Sequence, residues 1–541
     1  LKGICLALRV GGAMVEALEA DPELESLDLD DADLDIDAVR QLAAALAKHE
    51  ALTELNLGRN CLKDKGLWAI ASALEQNASL TVLGLRGCSV REAGTKRLAV
   101  ALARNERMRE LSLGHNHRIG DAGAEALAAL LEQGCPLRGL DLSSTCMEEP
   151  GATRLAAALE HNSVLTSLQL RDNMLGDAAA SAFAAAVARR GNVLKELDLC
   201  RCGLGPNAAA SLAAALTEAG CGLASLDLFG NEIGVEGSRA LAAAIEKNRT
   251  LQELDVSRSG LGEEGAQAFG ASLARSRSLR ELRMSRNDIG DQGFIHLSTG
   301  LEQNRSLQVL SARENGISDF SILALAEALK KNKALKELEL GNNKVSDAGA
   351  RGLGVALIVN RALKALNLQE NQIGNVGADG LAVGIERNFF LEELNLSYNE
   401  VGEAGASRLL AALGKNRRLH TLELEGNREI SEDLLEHISK VVSSFEGRGE
   451  ADEAAPKKAS KAEEEDDDEE GGMLDSILQM ARNHKEDCAT AAAAAAAEAA
   501  ATAGPARGRR PSAGAQLEAL GLCDRRQVVE QGAERLMRRV Q

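Results

Sequence analysis

Two stretches of the sequence decide the fold: LKELELGNNKV at residues 335–345 and LEELNLSYNEV at residues 391–401. Both have leucine at the first, fourth and sixth positions, asparagine at the ninth and valine at the eleventh. A fixed period of 28 or 29 residues indicates a repeat array, in which each unit packs only on its neighbours. The fifteen repeats begin at Leu24, Leu52, Leu80, Met108, Leu137, Leu165, Leu194, Leu223, Leu251, Leu279, Leu307, Leu335, Leu363, Leu391 and Leu419.

Each repeat has the pattern of a strand, a turn and a helix. The alternation of Leu338 and Leu340 has period two, which predicts a short half-buried strand. Apolar residues then recur at helical spacing through residues 350–357. Between the two, Asp347 stands where we expect it to cap the following helix. We also expect the asparagines that close many helices, such as Asn248, to adopt the left-handed conformation that helix ends favour.

These repeats predict the α/β class, as a leucine-rich-repeat solenoid. Hydrogen-bonded strands lie about 4.8 Å apart, whereas helices are about 10 Å wide. Because the two must stack together, the array should bend into a curved horseshoe. The parallel strands are then on the concave face and the helices on the convex face.

The ninth position of the repeat predicts a structural ladder of buried asparagines. An amide both donates and accepts, so it can satisfy backbone groups of the turn that neither strand nor helix reaches. In the first ten repeats asparagine alternates with a small residue such as Cys88 or Cys202, and from Asn315 onward every repeat has asparagine. The predicted ladder consists of Asn60, Asn116, Asn173, Asn231, Asn287, Asn315, Asn343, Asn371, Asn399 and Asn427.

Composition divides the chain into five segments. Residues 1–23 have the pattern of a partial or capping repeat, and residues 24–445 hold the fifteen repeats. Residues 446–472 contain twelve acidic and four basic residues, which predicts a disordered linker. Residues 473–488 have one apolar helical face, and this is either a short amphipathic partner-binding helix or a transient one. Residues 489–541 form a low-complexity tail that is alanine-rich and then basic.

Charge and cysteine content exclude several classes of function. The net charge of −19 disfavours nucleic acid and favours another protein as the main partner. No apolar run reaches the roughly 20 residues that span a bilayer, so no membrane association is expected. The ten cysteines lack zinc-like and disulfide-scaffold spacing, which favours reduced thiols in a cytoplasmic or nuclear protein. No catalytic motif is present, so we expect a protein that is not an enzyme and uses neither metal nor cofactor. We also expect a monomer.

Charged residues lie between the core leucines of the predicted strands, where side chains face the concave groove. Acidic residues recur at positions three and five of the repeat, and arginines at positions seven and eight. Because stacked like charges repel, these bands are either paired with each other or complementary to a partner. We expect Arg258, Arg286 and Arg313 to point into solvent. The predicted binding residues are Arg59, Arg86, Arg171, Arg201, Phe229, Arg258, Arg286, Arg313, Tyr398, Glu196, Asp198, Asp227, Glu253 and Asp255.

The repeat, with its helix in every unit, resembles the ribonuclease-inhibitor-like subfamily of leucine-rich repeats. The alternation of asparagine with a small residue, often cysteine, in the ladder is also typical of ribonuclease inhibitor. The same unit occurs in the repeat arms of NOD-like receptors and in Ran GTPase-activating proteins. This resemblance implies a protein–protein interaction scaffold or regulatory adaptor that binds its partner on the concave charged face.

An alternative is a function similar to that of the Ran-type GTPase activators. An acidic tract, EEEDDDEE at residues 463–470, follows the array as in those proteins, and residues 203–206 are similar to a stretch beside a functional asparagine. The matching residue here is Cys202, and the family's F-T-G-R-like stretch is missing. This alternative implies a small GTPase as partner, whose own hydrolysis the array would assist.

Overall fold

The computed structural model describes residues 21–427 and 429–445. The expected linker (446–472), amphipathic helix (473–488) and tail (489–541) lie outside the described residues, as does most of the expected capping repeat (1–23). In the described part of the chain, strands and helices alternate without interruption.

A single parallel sheet contains the fifteen strands of the described residues, in the same order as in the chain. Each strand pairs with the strand one repeat later, as in Leu338↔Leu366. The strands are Ser26–Asp28 (β1), Glu54–Asn56 (β2), Val82–Gly84 (β3), Glu110–Ser112 (β4), Gly139–Asp141 (β5), Ser167–Gln169 (β6), Glu196–Asp198 (β7), Ser225–Asp227 (β8), Glu253–Asp255 (β9), Glu281–Arg283 (β10), Val309–Ser311 (β11), Glu337–Glu339 (β12), Ala365–Asn367 (β13), Glu393–Asn395 (β14) and Thr421–Glu423 (β15). The predicted α/β leucine-rich-repeat solenoid is therefore confirmed.

Within the described residues, fourteen helices connect successive strands and a fifteenth follows β15. They are Ile36–Leu46 (α1), Lys63–Leu74 (α2), Glu92–Leu102 (α3), Gly120–Glu132 (α4), Glu149–Leu159 (α5), Gly176–Ala188 (α6), Pro206–Thr217 (α7), Gly234–Lys247 (α8), Gly262–Leu273 (α9), Gly290–Gln303 (α10), Asp319–Lys331 (α11), Asp347–Val359 (α12), Asn375–Arg387 (α13), Glu403–Leu413 (α14) and Glu432–Ser443 (α15). None of these helices is both long enough and apolar enough to cross a lipid bilayer.

Leucine and alanine fill the core between the sheet and the helices. Helix α12, for example, buries Ala350, Leu353, Ala356 and Leu357 toward the strands. Alanine has a short side chain, so these helices approach the sheet closely and bury the leucines of β1 to β14 almost completely. The rigid, close-packed core holds the side chains on the other side of the sheet in fixed register.

In several repeats the acid at the start of a helix caps the helix of the next repeat and not its own, contrary to the expectation. Asp347 is the first residue of α12, and the residue before it, Ser346, makes no side-chain capping bond. Instead, Asp347 Oδ1 accepts hydrogen bonds from the backbone N–H groups of Gly374 (2.7 Å) and Gly377 (2.8 Å) at the start of α13. The expectation was therefore wrong, because the carboxylate reaches along the stack and satisfies the free N–H groups of the next repeat.

The asparagines that close the helices are not left-handed, contrary to the expectation. Asn248 has φ −64° and ψ 148°, which is an extended conformation. Its Nδ2 donates to Leu216 O (2.8 Å) at the end of the preceding helix, and its Oδ1 accepts the N–H of Leu251 (2.7 Å). The residue is used for its amide, which ties one helix end to the next, and not for its conformational freedom.

The ninth-position asparagines make the same kind of link in the turn after each strand. Asn343 Nδ2 donates to Leu340 O (2.9 Å) in its own repeat and to Ala312 O (3.1 Å) in the preceding repeat. Its Oδ1 accepts the N–H groups of Asn315 (3.0 Å) and Ile317 (3.1 Å). All ten of these asparagines are buried, so each one satisfies polar backbone that water does not reach.

Candidate protein-binding face

We define the strand face as the side chains at positions three, five, seven and eight of each repeat. Positions four and six point into the core, so positions three, five and seven project from the opposite side of the sheet. Along β12 this gives exposed Glu337, buried Leu338 and half-buried Glu339. All the binding residues expected from the sequence lie on the strand face, on repeats 2 to 14.

The eighth residue of every described repeat is left-handed, with φ between 52° and 74°. Only three of these fifteen residues are glycine, namely Gly87, Gly230 and Gly426. A side chain in this conformation costs on the order of 1 kcal/mol. The arginine band is consequently two rows with different directions: Arg86, Arg171 and Arg313 at position seven, and the left-handed Arg59, Arg201, Arg258 and Arg286 at position eight.

Four of the seven arginines form ion pairs with carboxylates of other repeats. Arg171 Nε lies 3.5 Å from Asp198 Oδ2, and its Nη2 lies 3.3 Å from Asp227 Oδ2. Arg201 Nε lies 2.7 Å from Asp172 Oδ1. The other two pairs are Arg59 with Asp30 and Arg286 with Glu314. These arginines are about half exposed to solvent or more, so water screens each pair and its contribution to the stability of the fold is small.

The other three arginines differ in their surroundings. Arg86 Nη2 lies 2.7 Å from His115 Nε2, and Arg258 is exposed without an ion pair to any described residue. Arg313 does not point freely into solvent as expected. It is half-buried, and its guanidinium lies so close over Gly341 that a Cβ there would be 3.3 Å from Cζ. The absence of a side chain at Gly341 is what lets Arg313 lie flat.

Position five has a structural function that the sequence analysis did not identify. The side-chain oxygen of Asp198 accepts the N–H of Cys200 (2.9 Å), two residues later, and Asp227 does the same for Phe229 (2.8 Å). This is an Asx turn, which asparagine makes as well as aspartate. The residues that form it are Asp28, Asn56, Asp141, Asp198, Asp227, Asp255, Asn367 and Asn395.

Three of these aspartates are direct neighbours, and we call Asp198, Asp227 and Asp255 the carboxylate stack. They occupy one register on β7, β8 and β9, so about 4.8 Å separates their backbones. Burial raises the pKa of Asp198, and the charge of Asp227 raises it further. Burial and Asp227 raise the pKa of Asp255 in the same way. The turns require only an amide or carboxylate oxygen here, so the accumulated negative charge is not explained by folding.

Cys200 joins the carboxylate stack from position seven. Ligand atoms of Asp198, Cys200 and Asp227 all lie within 4.8 Å of one another, the one such group among the described residues. The Cys200 thiol is a poor ligand at neutral pH, because burial raises its pKa to about 12. The guanidinium of Arg171 also lies against both carboxylates. A metal ion would have to displace Arg171 from both carboxylates.

Aromatic residues on the strand face are few and well separated. Phe229 is half-buried at position seven of repeat 8, close to Asp227 of the stack. Tyr398 is 53 % exposed and left-handed at position eight, and its ring lies over Gly426. Glu196 and Glu253 are exposed at position three of β7 and β9, on either side of Ser225. The structure thus concentrates Phe229 and the acids of repeats 7 to 9 in one area, and Tyr398 lies apart from it.

Cys202, the residue at the asparagine position of the Ran-type activators, is fully buried. Its thiol donates to Leu170 O (3.2 Å), and its N–H donates to Asn231 Oδ1 (3.0 Å). It is therefore a member of the turn ladder.

Nine stretches of the chain match the leucine-rich-repeat family: residues 50–71, 104–128, 161–184, 223–242, 247–270, 275–298, 331–354, 359–382 and 387–410. The sequence matches none of the curated proteins with which it was compared.

Similarity to solved structures is low in sequence. The actin-binding site 2 of leiomodin-1 is 17 % identical with a TM-score of 0.25, over 29 % of this chain and 92 % of that one. A chain of the yeast Rad7–Elc1 complex is 20 % identical with a TM-score of 0.42, over 62 % and 84 %. A chain of the TLR13–ssRNA13 complex is 17 % identical with a TM-score of 0.45, over 76 % and 58 %. Together, the family matches and the fifteen strand–helix repeats of the described residues show that this chain is a leucine-rich-repeat protein.

Proposed function

We propose that the chain is a protein-interaction scaffold of the ribonuclease-inhibitor-like subfamily, and that it acts as a monomer in the cytoplasm or nucleus. Its strand face in repeats 6 to 9 binds a basic surface of a partner protein. The observation that carries this proposal is the carboxylate stack of Asp198, Asp227 and Asp255, whose like charges are adjacent and partly buried. Arg171 compensates the charges of Asp198 and Asp227 in part, and a partner that brings lysine or arginine to the stack relieves the repulsion that remains.

The balance of charge around the stack supports a basic partner. On repeats 6 to 9, the strand face contains six carboxylates and three guanidinium groups: Asp172, Glu196, Asp198, Asp227, Glu253 and Asp255 against Arg171, Arg201 and Arg258. Arg171 and Arg201 are already paired within the face. Phe229 gives the same area one aromatic side chain for contact with the partner. With so few aromatics, we expect a polar, wet interface with a Kd of about a micromolar.

Position five allows this proposal to be tested without disturbing the fold. Asparagine keeps the Asx turn, as at Asn56, Asn367 and Asn395, and removes the charge. Affinity capture with the full chain would identify a partner, and titration would then give its Kd. We expect the triple variant Asp198→Asn, Asp227→Asn, Asp255→Asn to weaken binding more than tenfold without lowering the free energy of unfolding.

A matched control replaces acids of a distant repeat. Glu393→Gln and Glu423→Gln on β14 and β15 also remove strand-face charge, and they should leave binding unchanged. Higher salt should weaken the wild-type complex, because exposed charges are screened beyond about 8 Å at physiological ionic strength. Normal binding by the triple variant, or a complex insensitive to salt, would overturn the proposal. No feature of the described residues favours the Ran-type alternative, and we expect little or no stimulation of GTP hydrolysis.

A further inference from the structure

A second charged surface lies on the loops that join each helix to the next strand. The residue two positions before the first leucine of the repeat is basic in six of the last seven repeats and phenylalanine in the remaining one. We call this set the edge row: Arg249, Arg277, Arg305, Lys333, Arg361, Phe389 and Arg417. All seven side chains are exposed, and none belongs to the strand face.

Six of the seven members follow a buried asparagine whose amide fixes the loop, and Arg277 follows Ser276. Asn332 Nδ2 donates to Leu301 O (2.6 Å) and Asn360 Nδ2 donates to Leu329 O (2.7 Å), so successive loops are tied to the same point of the preceding helix. Neighbouring members are separated by one repeat, which is about 4.8 Å at the strands and about 10 Å at the helices. The seven residues therefore form a regular line roughly 30 to 60 Å long.

The loops around the edge row are strongly basic in a protein of net charge −19. In residues 248–252, 274–280, 304–308, 332–336, 360–364, 388–392 and 414–420 there are twelve lysines and arginines and one acid, Glu392. Some of these bases are paired, such as Arg275 with Glu246 and Lys415 with Glu386. The exposed bases with no ion pair to any described residue include Arg277, Arg280, Lys333, Arg361 and Arg417.

The helix dipole does not account for the row. Cations are favoured near helix C-termini, and Arg249 Nη1 and Arg305 Nη1 do donate to the helix-end carbonyls of Glu246 (3.0 Å) and Glu302 (2.9 Å). However, every helix has this end, and the first seven loops have no base at the same position. They have Glu50, Ala78, Glu106, Cys135, Ser163, Asn192 and Cys221. The basic row is a property of the last seven repeats alone.

Phe389 interrupts the row between Arg361 and Arg417. It is 61 % exposed, and the adjacent Phe390 is 41 % exposed, in a protein with only eight phenylalanines. Two adjacent aromatic side chains that remain exposed do not supply the favourable free energy that burial of their apolar area would give. Phenylalanine and arginine are both enriched at protein–protein interfaces.

We propose that the edge row binds an acidic linear segment of a partner protein, with an apolar side chain of that segment resting on Phe389 and Phe390. Carboxylates match the arginines and lysines, which can bind them through charge-assisted hydrogen bonds. A peptide fits better than nucleic acid, because the strand-face glutamates Glu281, Glu337 and Glu393 begin one residue beyond these loops. The evenly spaced phosphates of a nucleic acid would approach those glutamates, whereas an acidic peptide can place its charges only where the bases are.

The test uses the full chain and a fluorescein-labelled peptide of 20 residues, in which acidic residues are spaced by serines around one central phenylalanine, measured by fluorescence anisotropy. We expect Arg277→Glu, Lys333→Glu, Arg361→Glu to weaken binding at least tenfold. The control Lys65→Glu, Lys96→Glu, Lys344→Glu makes the same change of charge at exposed lysines of other loops and helices, and it should bind normally. Equal loss in both triple variants, or no loss in either, would overturn the proposal.

Two further measurements test the aromatic contact and the class of polymer that binds. Phe389→Ser should weaken binding of this peptide several-fold but leave unchanged the affinity for a peptide that lacks the phenylalanine. An oligothymidylate of 20 nucleotides should bind more weakly than the peptide, and tighter binding would replace the proposal by one for nucleic acid. The Asp198, Asp227, Asp255 triple variant should bind the acidic peptide normally, so failure here and failure of the strand-face proposal are distinguishable.

Discussion

Repeats 11 to 15 have a buried asparagine in every turn, whereas in the preceding repeats asparagine alternates with Cys88, Thr145, Cys202 and Ser259. In the continuous part, Asn343 bonds to the preceding turn through both Nδ2 and Oδ1. In the alternating part, Asn231 Oδ1 accepts from Cys202 and Leu204 of the preceding turn, and the Cys202 thiol supplies one weak donor.

The comparison shows how little the turn ladder requires. One amide in every second repeat is enough to satisfy two N–H groups of the preceding turn, as Asn231 does for Cys202 and Leu204. A thiol or hydroxyl in the other repeats leaves those turns with fewer and weaker bonds. We therefore expect the alternating repeats to tolerate substitution of their small residue, and the continuous repeats to be sensitive to loss of an amide.

The largest effect should come from breaking the continuous ladder. Asn343→Leu leaves the N–H groups of Asn315 and Ile317 and the carbonyl of Ala312 without their partner. Because each buried unsatisfied group costs about 1–3 kcal/mol, the free energy of unfolding should fall by about 3 kcal/mol or more. Urea unfolding measures this. The matched change in the alternating part, Cys202→Ala, should cost about 1 kcal/mol, and equal losses would contradict the comparison.

A smaller effect should follow from removing one capping carboxylate between repeats. Asp319 Oδ1 accepts the N–H groups of Ser346 (2.7 Å) and Gly349 (2.9 Å) at the start of α12. Asp319→Ala should therefore lower the free energy of unfolding by about 1–2 kcal/mol. Asp319→Asn is the control and should cost much less, since Asn375 makes the same bonds to Gly402 and Gly405 in the wild type. A full loss with asparagine would show that charge, not geometry, is required.

Replacing Ser276 by asparagine should raise the free energy of unfolding. Ser276 occupies the helix-end position that is asparagine in the repeats on either side, and its Oγ is buried without a hydrogen-bond partner among the described residues. Ser276→Asn should recover the bonds that Asn248 and Asn304 make to the preceding helix end, a gain of about 1 kcal/mol in the free energy of unfolding. Ser276→Ala removes the unsatisfied hydroxyl but adds no link, so it should gain less than asparagine in the same thermal melts.

The smallest effect concerns the carboxylate stack and depends on pH. The pKa of Asp198 is raised in the folded protein, so its stabilising contribution is present below the ordinary aspartate pKa of about 3.9 and is lost as pH rises through the folded pKa. Asp198→Asn should therefore be more stable than the wild type at pH 7, and the difference should vanish below about pH 4. Melting temperatures across this range measure it.

Asp30 is the control for that experiment. Its side-chain hydrogen bond to Arg59 lowers the pKa of Asp30. The sign is then opposite: the contribution of this carboxylate is present above the unfolded pKa and is lost as pH falls through the folded pKa. Asp30→Asn should be less stable than the wild type at neutral pH. A gain in stability in both variants would mean that removal of net negative charge, and not the local environment, is responsible.

The residues expected to bind a partner lie on one face of the sheet, as the sequence predicted. Their contacts with one another could not be predicted. The sequence placed Asp198, Asp227 and Asp255 on one face, since alternate residues of a strand share a side. It could not reveal that each accepts a turn N–H, nor that the arginines beside them divide into two rows. Those features depend on the left-handed eighth residue. The expectation that Arg313 points into solvent was wrong for a similar reason, because its partial burial depends on Gly341 of the next repeat.

By itself, the sequence determined the number of repeats in the described residues and the order of strand and helix, because a leucine pattern of fixed period admits a single way to bury its apolar face. Only the tertiary structure decided which repeat each polar side chain serves. Asp347 caps the helix of the next repeat, Asn248 bonds to the helix end of the preceding repeat, and the edge row becomes a line only when seven loops stack. The physical reason is that local sequence specifies a hydrogen-bonding group, while the approach of neighbouring repeats specifies its partner.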